Sequence, residues 1–325
     1  MGARIAGTGS YVPSTRVTNA DLERVVNTSD QWIVRRTGIK SRFHLGRDEA
    51  PSVMGIEAGK RALDAAKVSP ASVDLLIVAT NFPDMICPGS APFIAAGVGL
   101  DHVPFFDLKA GCSGFVYALA ISAGLIESGL YSCVLLIGSE ALSRVTDWSD
   151  RKTCVLFGDG AGAVVLEAGG PGEGVLGSAL YGDQEKAMLL HLPAGGTRRP
   201  ASHETVSSRE HYLKMEGAGV YRSAVSMMDE ATRAAIAAAS LSLDNVDWLI
   251  PHQANLRIIE SLARHLGFDM GKVIVNLDRV ANTSTASIPI ALDESLRSGR
   301  IDRGDVVVLT AFGAGATYGA LAARV

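Results

Sequence analysis

The sequence has few cysteines and no long apolar run, and each lack excludes a class of protein. Four cysteines occur among 325 residues, no two of them form a CxxC pair, and the seven histidines show no metal-ligand spacing. This pattern argues against a disulfide-stapled domain and against a metal site. No apolar run could cross a bilayer, and residues 1–5 lack the apolar stretch of a signal peptide. We therefore expect a soluble, cytoplasmic protein that binds no metal and no membrane.

Charge is also sparse and evenly spread. Charged residues make up 20% of the chain, the formal net charge is −4, and no basic block dominates any stretch. A nucleic-acid partner is therefore not expected, and an anionic ligand would need a local group of basic side chains. Hydrophobic residues make up 47% of the 325 residues, which is ample for a large core in two domains or one duplicated domain.

Two pairs of segments indicate an internal duplication. Residues 62–77 (ALDAAKVSPASVDLLI) and 235–250 (AIAAASLSLDNVDWLI) lie 173 residues apart and match at eight of sixteen positions. Each reads as an Ala-rich helix, a polar turn and an apolar strand. A second pair, FGDGAGAVVLEA at 157–168 and FGAGATYGALAA at 312–323, follows in the same order. Continuous apolar strands such as 75–79 and 306–310 suit sheets buried on both faces. The sequence predicts two similar α/β halves packed together.

Cys112 is the candidate nucleophile. It lies in the small-residue turn AGCSG, between a predicted strand at 104–108 and a helical pattern that runs from Phe115 to about Glu127. The free N–H groups and the dipole at a helix N-terminus favour a thiolate. The alternative is a small cysteine packed at a tight helix start. Cys133 and Cys154 lie in apolar runs and are expected to be buried and inert.

Three further segments could supply partners for this cysteine. His252 follows a buried strand that Pro251 ends, and a helix begins near Asn255. Asn282 opens a polar, small-residue loop before another apolar helix, and the turn at 311–315 follows the strand 306–310. Taken singly, these features also fit a structural histidine, a turn asparagine and a tight turn. A functional turn would present a backbone N–H to an oxyanion.

Taken together, these motifs resemble β-ketoacyl-ACP synthase III (ACP, acyl carrier protein). The resemblance rests on AGCSGF around Cys112, PHQANLRI around His252, NTSTAS from Asn282 and the FGAG turn at 312–315. It extends to TSDQWIVRRTGI at 28–39 and FGDGAGA at 157–163, and so covers essentially the whole chain. The resemblance implies an α/β thiolase fold with duplicated halves in a five-layer αβαβα arrangement, and a homodimer. Residues 1–170 would carry the nucleophile, and residues 171–325 would carry His252 and Asn282.

The resemblance also implies a reaction that initiates fatty acid biosynthesis. Acyl-CoA acylates Cys112, CoA leaves, and malonyl-ACP enters without any tightly bound cofactor. Decarboxylation gives a carbanion that attacks the thioester and yields a 3-oxoacyl-ACP. His252 Nε2 and Asn282 Nδ2 would donate hydrogen bonds to the malonyl thioester oxygen. The N–H groups of Cys112 and Ala314 would hold the acyl oxyanion, and Phe312 would shape the malonyl pocket. The resemblance also implies that thiolases, which do not decarboxylate, use a second cysteine in the FGAG turn for proton transfer. This turn contains none, which favours decarboxylation over thiolysis.

The entrance to such a site must recognise CoA and ACP. Trp32 and Arg36 lie four residues apart in a predicted short helix that Thr28 begins and Gly38 ends. The resemblance implies that Trp32 and Arg151 sandwich the adenine. It implies that Thr28 and Arg36 contact other parts of the nucleotide, and that Asn255 contacts pantetheine.

The expected contacts with ACP form a second group, which includes a basic rim. Arg257 and Arg264 are seven residues apart on a predicted helix and therefore share one face. The alternative for each arginine is an ordinary solvated side chain. The expected ACP-binding residues are Arg222, Gln253, Ala254, Asn255, Leu256, Arg257 and Arg264.

Cys87 lies in a loop rich in helix and strand breakers, after the strand 75–79. The resemblance implies that this position crosses the dimer and lines the far end of the partner's acyl pocket. Cysteine is smaller than the aromatic side chain common there, so we expect acyl groups longer or more branched than acetyl to be accepted. The alternative is that Met85 or Ile86 fills the space.

Two other functions remain open from the sequence. One is a starter-unit ketosynthase or acyltransferase of a secondary-metabolite pathway, which would share the same three residues. The other is an inactive partner subunit. Such subunits lack the nucleophile, and the intact set of Cys112, His252 and Asn282 argues against this reading.

Overall fold

A computed structural model describes residues 2–325. The strands are β1 (Gly2–Tyr11), β2 (Thr15–Thr18), β3 (Ser41–His44), β4 (Leu75–Ala79), β5 (Phe105–Leu108), β6 (Cys133–Ala141), β7 (Asp159–Gly169), β8 (Gly174–Gly182), β9 (Leu190–His191), β10 (Lys214–Met215), β11 (Trp248–Pro251), β12 (Val306–Gly313) and β13 (Thr317–Arg324). The helices are α1 (Asn19–Glu23), α2 (Asp30–Thr37), α3 (Pro51–Ala66), α4 (Ala91–Val98), α5 (Gly114–Glu127), α6 (His203–Ser207), α7 (Gly217–Ala238), α8 (Leu256–Leu266), α9 (Leu277–Val280) and α10 (Ser287–Arg297).

Two main sheets repeat one strand order. The first sheet has the order β1-β7-β6-β4-β5, and the second has the order β8-β13-β12-β11. In the first, β6 and β4 are parallel, and β7 is antiparallel to both β6 and β1. In the second, β12 and β11 are parallel, and β13 is antiparallel to both β12 and β8. The two sheets therefore share four strands in the same order and directions, as duplicated halves require.

Both faces of each sheet are covered by helices, because the strands are apolar on both sides. Along β4, Leu76 and Val78 pack with α3 and α4, while Leu75 and Ile77 face the other way. That inner cluster contains α5, α10 and residues of both sheets. Helices α7 and α8 cover the outer face of the second sheet. The predicted five-layer αβαβα arrangement is confirmed, with α5 and α10 as its middle layer.

Helix α5 connects this architecture to the site. Its sequence is apolar all round, and Phe115, Val116 and Leu119 are fully buried. A helix without a polar face is suited to a layer between two sheets. Its observed start at Gly114 lies one residue from the predicted start, and its first turn follows Cys112 directly.

The structure corrects the predicted start of α2. Ser29, not Thr28, is the N-cap: its hydroxyl accepts a hydrogen bond from the N–H of Trp32 at 3.2 Å. Both residue types can cap a helix, and only the one whose oxygen reaches a free N–H of the first turn does so. Gly38 ends the helix in the left-handed conformation, as predicted.

None of the helices within residues 2–325 combines the length and the apolar character that a membrane crossing requires.

Candidate active site

Cys112 lies in a sharp turn between β5 and α5. Gly111 has a φ of +54°, a conformation that glycine adopts readily. A Cβ atom on Gly111 would lie 2.4 Å from the nitrogen of Ala314, and one on Gly313 would lie 2.2 Å from the nitrogen of Cys112. These two glycines therefore let the Cys112 turn pack directly against the β12–β13 turn, which brings the N–H of Ala314 close to that of Cys112.

Two hydroxyl groups fix this contact between the halves. Thr317 Oγ1 donates to the carbonyl of Ala110 at 2.6 Å, and Ser113 Oγ lies 2.7 Å from Thr317 Oγ1. The Cys112 turn is thus tied to the second half of the chain, 207 residues away in sequence.

The electrostatics of Cys112 differ from the expectation. Burial raises the pKa of its thiol from 9.0 to about 12, and the nearby Glu140 carboxylate contributes to this rise. Hydrogen bonds from the Ser284 hydroxyl and the Cys112 N–H act in the opposite direction but are weaker. The helix N-terminus favours a thiolate, as expected, but in the free protein the desolvation of the charged sulfur outweighs the favourable groups. The resting residue is a neutral thiol.

His252 lies just after β11 and is 3% exposed. Its N–H donates to the carbonyl of Thr310 at 2.8 Å, and its Nδ1 lies 2.7 Å from Ser287 Oγ. Ser287 Oγ also accepts the N–H of Gln253 at 3.4 Å, and we assign its own proton to the bond with Nδ1. This arrangement leaves the proton of a neutral imidazole on Nε2. Burial lowers the pKa of His252 to about 4, which keeps the ring neutral.

Asn282 is held by its backbone and by its amide oxygen. Its N–H donates to Leu156 and its carbonyl accepts the N–H of Gly158, both at 3.0 Å. Its Oδ1 accepts the N–H of Ser284 at 2.9 Å, which sets the amide orientation and turns Nδ2 the other way. The site therefore has two side-chain N–H donors, on His252 and Asn282.

One pocket of about 790 Å³ joins these groups. Cys112, His252, Asn282 and Phe312 line its inner part. Phe312 is 6% exposed and belongs to β12, at the end next to the turn with Ala314. The structure therefore brings together the three residues that the sequence singled out, with Phe312 beside them.

The mouth of the pocket is basic and contains an aromatic ring. Arg36, Lys152, Arg222 and Arg257 line the pocket together with Trp32. All four cations are exposed at the surface, so the pocket presents positive charge where the phosphates of an anionic substrate would enter. The sequence reasoning missed Lys152, which directly follows Arg151 in a polar loop.

Arg151 and Trp32 are already in contact. The guanidinium carbon of Arg151 lies 4.7 Å from the centre of the Trp32 ring, and Arg151 donates to the carbonyl of Asn27 at 3.1 Å. That separation leaves no space for an adenine between them, so a sandwich requires Arg151 to move. The hydroxyl of Thr28 is buried and has no partner within residues 2–325, and Thr28 does not line the pocket. Thr28 itself is half-buried, but its hydroxyl is not available for the expected contact with the nucleotide in this structure.

The expected ACP-binding residues lie in different surroundings. Arg222, Ala254, Asn255 and Arg257 line the pocket. Asn255 also caps α8: its Oδ1 accepts the N–H of Arg257 at 2.9 Å, and its Nδ2 donates to the carbonyl of Arg36 at 3.1 Å. Arg264 is exposed further along α8, and Leu256 packs beneath Gly38.

Gln253 is a correction. Its side chain is completely buried, and it donates to the carbonyls of Pro251 and Ile274 at 2.7 and 3.1 Å. Its Oε1 accepts the N–H of Asn276 at 3.1 Å. These bonds make Gln253 part of the interior next to β11, so its side chain cannot contact ACP. Its neighbours in the motif, His252, Ala254 and Asn255, line the pocket instead.

Cys87 lies away from this pocket, in the loop between β4 and α4. Asp84 holds the hydroxyl groups of Ser52 and Ser90 at 2.5 and 2.7 Å, and this anchors the loop to the body of the protein. Cys87 and Ile86 project from it, and Ile86 is 89% exposed. Cys133 and Cys154 are buried, as predicted.

The sequence reasoning missed a buried polar group behind Cys112. Glu140 is completely buried at the end of β6, and the hydroxyl of Ser284 lies between it and Cys112. An acidic residue in the apolar run CVLLIGSEA was the available sign, because fully buried carboxylates are rare. No group of residues within 2–325 offers three or more metal ligands in one place.

Comparisons with known proteins place this geometry in a family. Residues 106–184 match the family model described as 3-oxoacyl-[acyl-carrier-protein (ACP)] synthase III, and residues 236–325 match the C-terminal model of the same family. A β-ketoacyl-[acyl-carrier-protein] synthase III of Caldanaerobacter subterraneus is 48% identical over 98% of this chain and 96% of its own.

Solved structures agree with this result. The 3-oxoacyl-[acyl-carrier-protein] synthase III of Aquifex aeolicus is 42% identical, has a TM-score of 0.92 and covers 100% of both chains. The priming β-ketosynthase of the R1128 polyketide biosynthetic pathway is 37% identical, has a TM-score of 0.92 and covers 99% of this chain and 96% of its own.

Proposed function

The chain belongs to the 3-oxoacyl-[acyl-carrier-protein] synthase III family, and from this premise we propose how its residues perform the condensation. The enzyme is an acyltransferase that joins an acyl-CoA to malonyl-ACP and so initiates fatty acid biosynthesis. The observation that carries the proposal is the single pocket that contains Cys112, His252 and Asn282.

Cys112 carries the acyl group in the first half of the reaction. Its thiol attacks the thioester of acyl-CoA, and the covalent intermediate divides one difficult transfer into two easier ones. The N–H groups of Cys112 and Ala314 stabilise the oxyanion, and the contact between their two turns supports this role. An alanine at position 314 retains the required N–H. The substrates supply all the reacting groups, without a tightly bound cofactor.

His252 and Asn282 serve the second half. Loss of CO₂ places negative charge on the malonyl thioester oxygen, and two neutral N–H donors in a buried pocket stabilise that charge strongly. The hydrogen bond between Ser287 and Nδ1 leaves Nε2 as the donor of His252, and the bond from Ser284 leaves Nδ2 as the donor of Asn282. Phe312 packs beside them and limits the space for the malonyl group.

The basic mouth of the pocket recognises CoA and the carrier protein. Trp32, Arg36 and Arg151 bind the nucleotide after Arg151 leaves the Trp32 ring, and Asn255 contacts pantetheine. Arg222, Arg257 and Arg264, together with Ala254 and Leu256, form the surface for ACP. Its positive charge suits an acidic partner and accelerates its association.

The enzyme acts as a homodimer. Strand β5 is an edge strand of the first sheet, and no strand within residues 2–325 pairs with its outer side. Phe105 and Phe106 on this strand are 46% and 42% exposed. An open edge with large apolar side chains is a template for pairing with another chain. A second copy joined along β5 would cover it.

In that dimer, Cys87 would line the acyl pocket of the partner subunit. Its loop projects from the body with Ile86 almost fully exposed, as an element that enters a neighbouring chain would. The small thiol would leave space beyond the thioester for acyl groups longer or more branched than acetyl. Each additional buried CH₂ adds about 0.8 kcal/mol of binding.

The location of the enzyme and the bounds of its two halves complete the proposal. The enzyme works in the cytoplasm, where CoA thioesters and carrier protein are its partners. The two halves are residues 1–170 and 171–325, since β7 ends at Gly169 and β8 begins at Gly174.

The test separates the two half-reactions. His252→Ala and Asn282→Ala should still acquire an acyl group on Cys112 from acyl-CoA, but should lose decarboxylation of malonyl-ACP, each by about 100-fold or more. Acylation is measured by protein mass, and decarboxylation by release of labelled CO₂. Normal decarboxylation in a variant that no longer acylates would contradict the roles assigned here.

A further inference from the structure

A chain of polar groups connects Cys112 to the buried carboxylate of Glu140. Ser284 Oγ lies 3.4 Å from Cys112 Sγ and 3.2 Å from Glu140 Oε1. Ser284 has a φ of +51°, which a non-glycine residue adopts only when its surroundings hold it there. Its N–H is held by Asn282 Oδ1, so the loop that presents the malonyl-binding amide also fixes the hydroxyl between sulfur and carboxylate.

The carboxylate has neutral partners only. Asn81 donates to Glu140 from its backbone N–H at 3.0 Å and from its side-chain amide. The hydroxyl of Thr285 lies 3.3 Å from Oε1, and that of Thr80 lies 3.5 Å from Oε2. Glu140 has no ion-pair partner among residues 2–325. Burial without a neighbouring cation destabilises the charged form of a carboxylate, so the carboxylate binds a proton more readily.

We propose that Glu140, acting through the hydroxyl of Ser284, accepts the proton of the Cys112 thiol when acyl-CoA is attacked. His252 is a poor acceptor for this proton, because its Nε2 already carries a proton and burial lowers its pKa to about 4. Burial raises the pKa of Glu140 to about 7, which suits a group that gives and takes protons near neutral pH. The inference rests on the proposed role of Cys112 as the acyl carrier.

The protons balance over one cycle. The thiol proton passes to Ser284 Oγ while the Ser284 proton passes to Glu140, and the new thiolate forms a bond to the acyl carbon. CoA leaves as a thiolate and takes a proton from water in the open pocket. Condensation later releases Cys112 as a thiolate, which recovers the stored proton through Ser284. The cycle therefore consumes one proton from solvent, matching conversion of the malonyl carboxylate to CO₂ and of the CoA thiolate to CoASH.

A purely electrostatic role makes the opposite prediction. The negative charge of Glu140 raises the pKa of Cys112, so removing that charge alone would make the thiol more reactive at neutral pH. Loss of a proton acceptor would make it less reactive. Glu140→Gln keeps the shape of the side chain and removes both its charge and its ability to take the proton, so the direction of the rate change distinguishes the two roles.

The experiment measures alkylation of the free enzyme by iodoacetamide between pH 5 and 10, followed by mass spectrometry of the Cys112 peptide. It needs neither acyl-CoA nor malonyl-ACP, so its outcome is separate from that of the decarboxylation test. The wild-type rate should rise near pH 7, level off, and rise again at high pH. Glu140→Gln and Ser284→Ala should lose the inflection near pH 7 and react at least tenfold more slowly at pH 7.5.

Thr80→Val is the matched control, because it removes a hydroxyl beside Glu140 that does not lie between Glu140 and Cys112. It should keep the inflection near pH 7. Circular dichroism checks that each variant is folded, and Glu140→Gln and Ser284→Ala test the two links independently. A Gln variant that reacts as fast as the wild type or faster at pH 7.5, or a Ser284→Ala variant with the wild-type profile, would overturn the proposal.

Discussion

At the scale of single residues, burial decides the chemistry of the site. It keeps Cys112 as a thiol and His252 as a neutral ring, and it brings Glu140 close to its midpoint at neutral pH. The motifs around Cys112, His252 and Asn282 were sufficient to find three residues that line one pocket. The protonation states were not predictable, because they depend on side chains far apart in sequence: Asn81 and Ser284, which meet beside Glu140, are 203 residues apart.

The raised pKa of Glu140 predicts a pH-dependent effect on stability. Its pKa rises from 4.5 to about 7 on folding, so its contribution is fully present below pH 4.5 and is lost as the pH rises through 7. Glutamine cannot ionise. Between pH 4 and 8, the free energy of unfolding of Glu140→Gln should therefore rise by about 3 kcal/mol relative to that of the wild type.

Urea unfolding of both proteins at a series of pH values checks this. His252 acts in the opposite direction, since its pKa falls from 6.5 to about 4 and its contribution is lost as the pH drops through that window. It is present in both proteins and cancels in the difference. A difference that stays constant with pH would show that Glu140 is not protonated on folding.

At the scale of helices and strands, the sequence predicted the positions of elements next to the site better than the helix cap of α2 or the direction of individual side chains. Strand β4 has the predicted bounds, and α8 begins after Asn255 as expected. Thr28 and Ser29 are both good caps by residue type, and only the reach of the hydroxyl to Trp32 distinguishes them. The inward position of Gln253 was equally hidden, because its partners at Ile274 and Asn276 come from a separate loop.

The exposed face of α8 gives a prediction about the carrier protein. Reversing Arg257 or Arg264 to Glu should raise the KM for malonyl-ACP several-fold, and more at low salt, because the attraction is then least screened. Decarboxylation of malonyl-CoA should suffer less. Steady-state kinetics with both donors at two salt concentrations measures this.

Arg324→Glu is the control for charge alone. Arg324 is exposed at the far end of β13 from the site, about 24 Å from Thr317 along the strand. It should leave both KM values close to those of the wild type. Equal losses with malonyl-ACP and malonyl-CoA in the α8 variants would mean that these arginines do not recognise the carrier protein.

At the scale of the whole molecule, the repeat in the sequence predicted two α/β halves and the family resemblance predicted five layers. Neither the repeat nor the resemblance predicted that the middle layer takes one helix from each half, α5 and α10, because that depends on how the two sheets pack. The same packing places the proposed nucleophile at the junction: Cys112 comes from the first half, and His252, Asn282 and Ala314 come from the second.

The open edge of β5 predicts a dimer that a single charge disrupts. Phe106→Asp places a carboxylate on the exposed strand and should raise the dimer dissociation constant by at least tenfold. Sedimentation velocity over a range of protein concentrations measures the shift. Val25→Asp, at a side chain that is 59% exposed outside this strand, is the matched control and should remain dimeric. A wild type that sediments as a monomer at micromolar concentration would refute the proposed assembly.

The most direct test of the whole account is the intact mass of the protein after incubation with acyl-CoA. The wild type should gain one acyl group per chain, located on the Cys112 peptide, and Cys112→Ala should gain none. Cys87→Ala, Cys133→Ala and Cys154→Ala should each still acquire the adduct. A stoichiometric acyl group on Cys112→Ala, or no adduct on the wild type with any of acetyl-, isobutyryl- and octanoyl-CoA, would contradict the assignment of Cys112 as the acyl carrier.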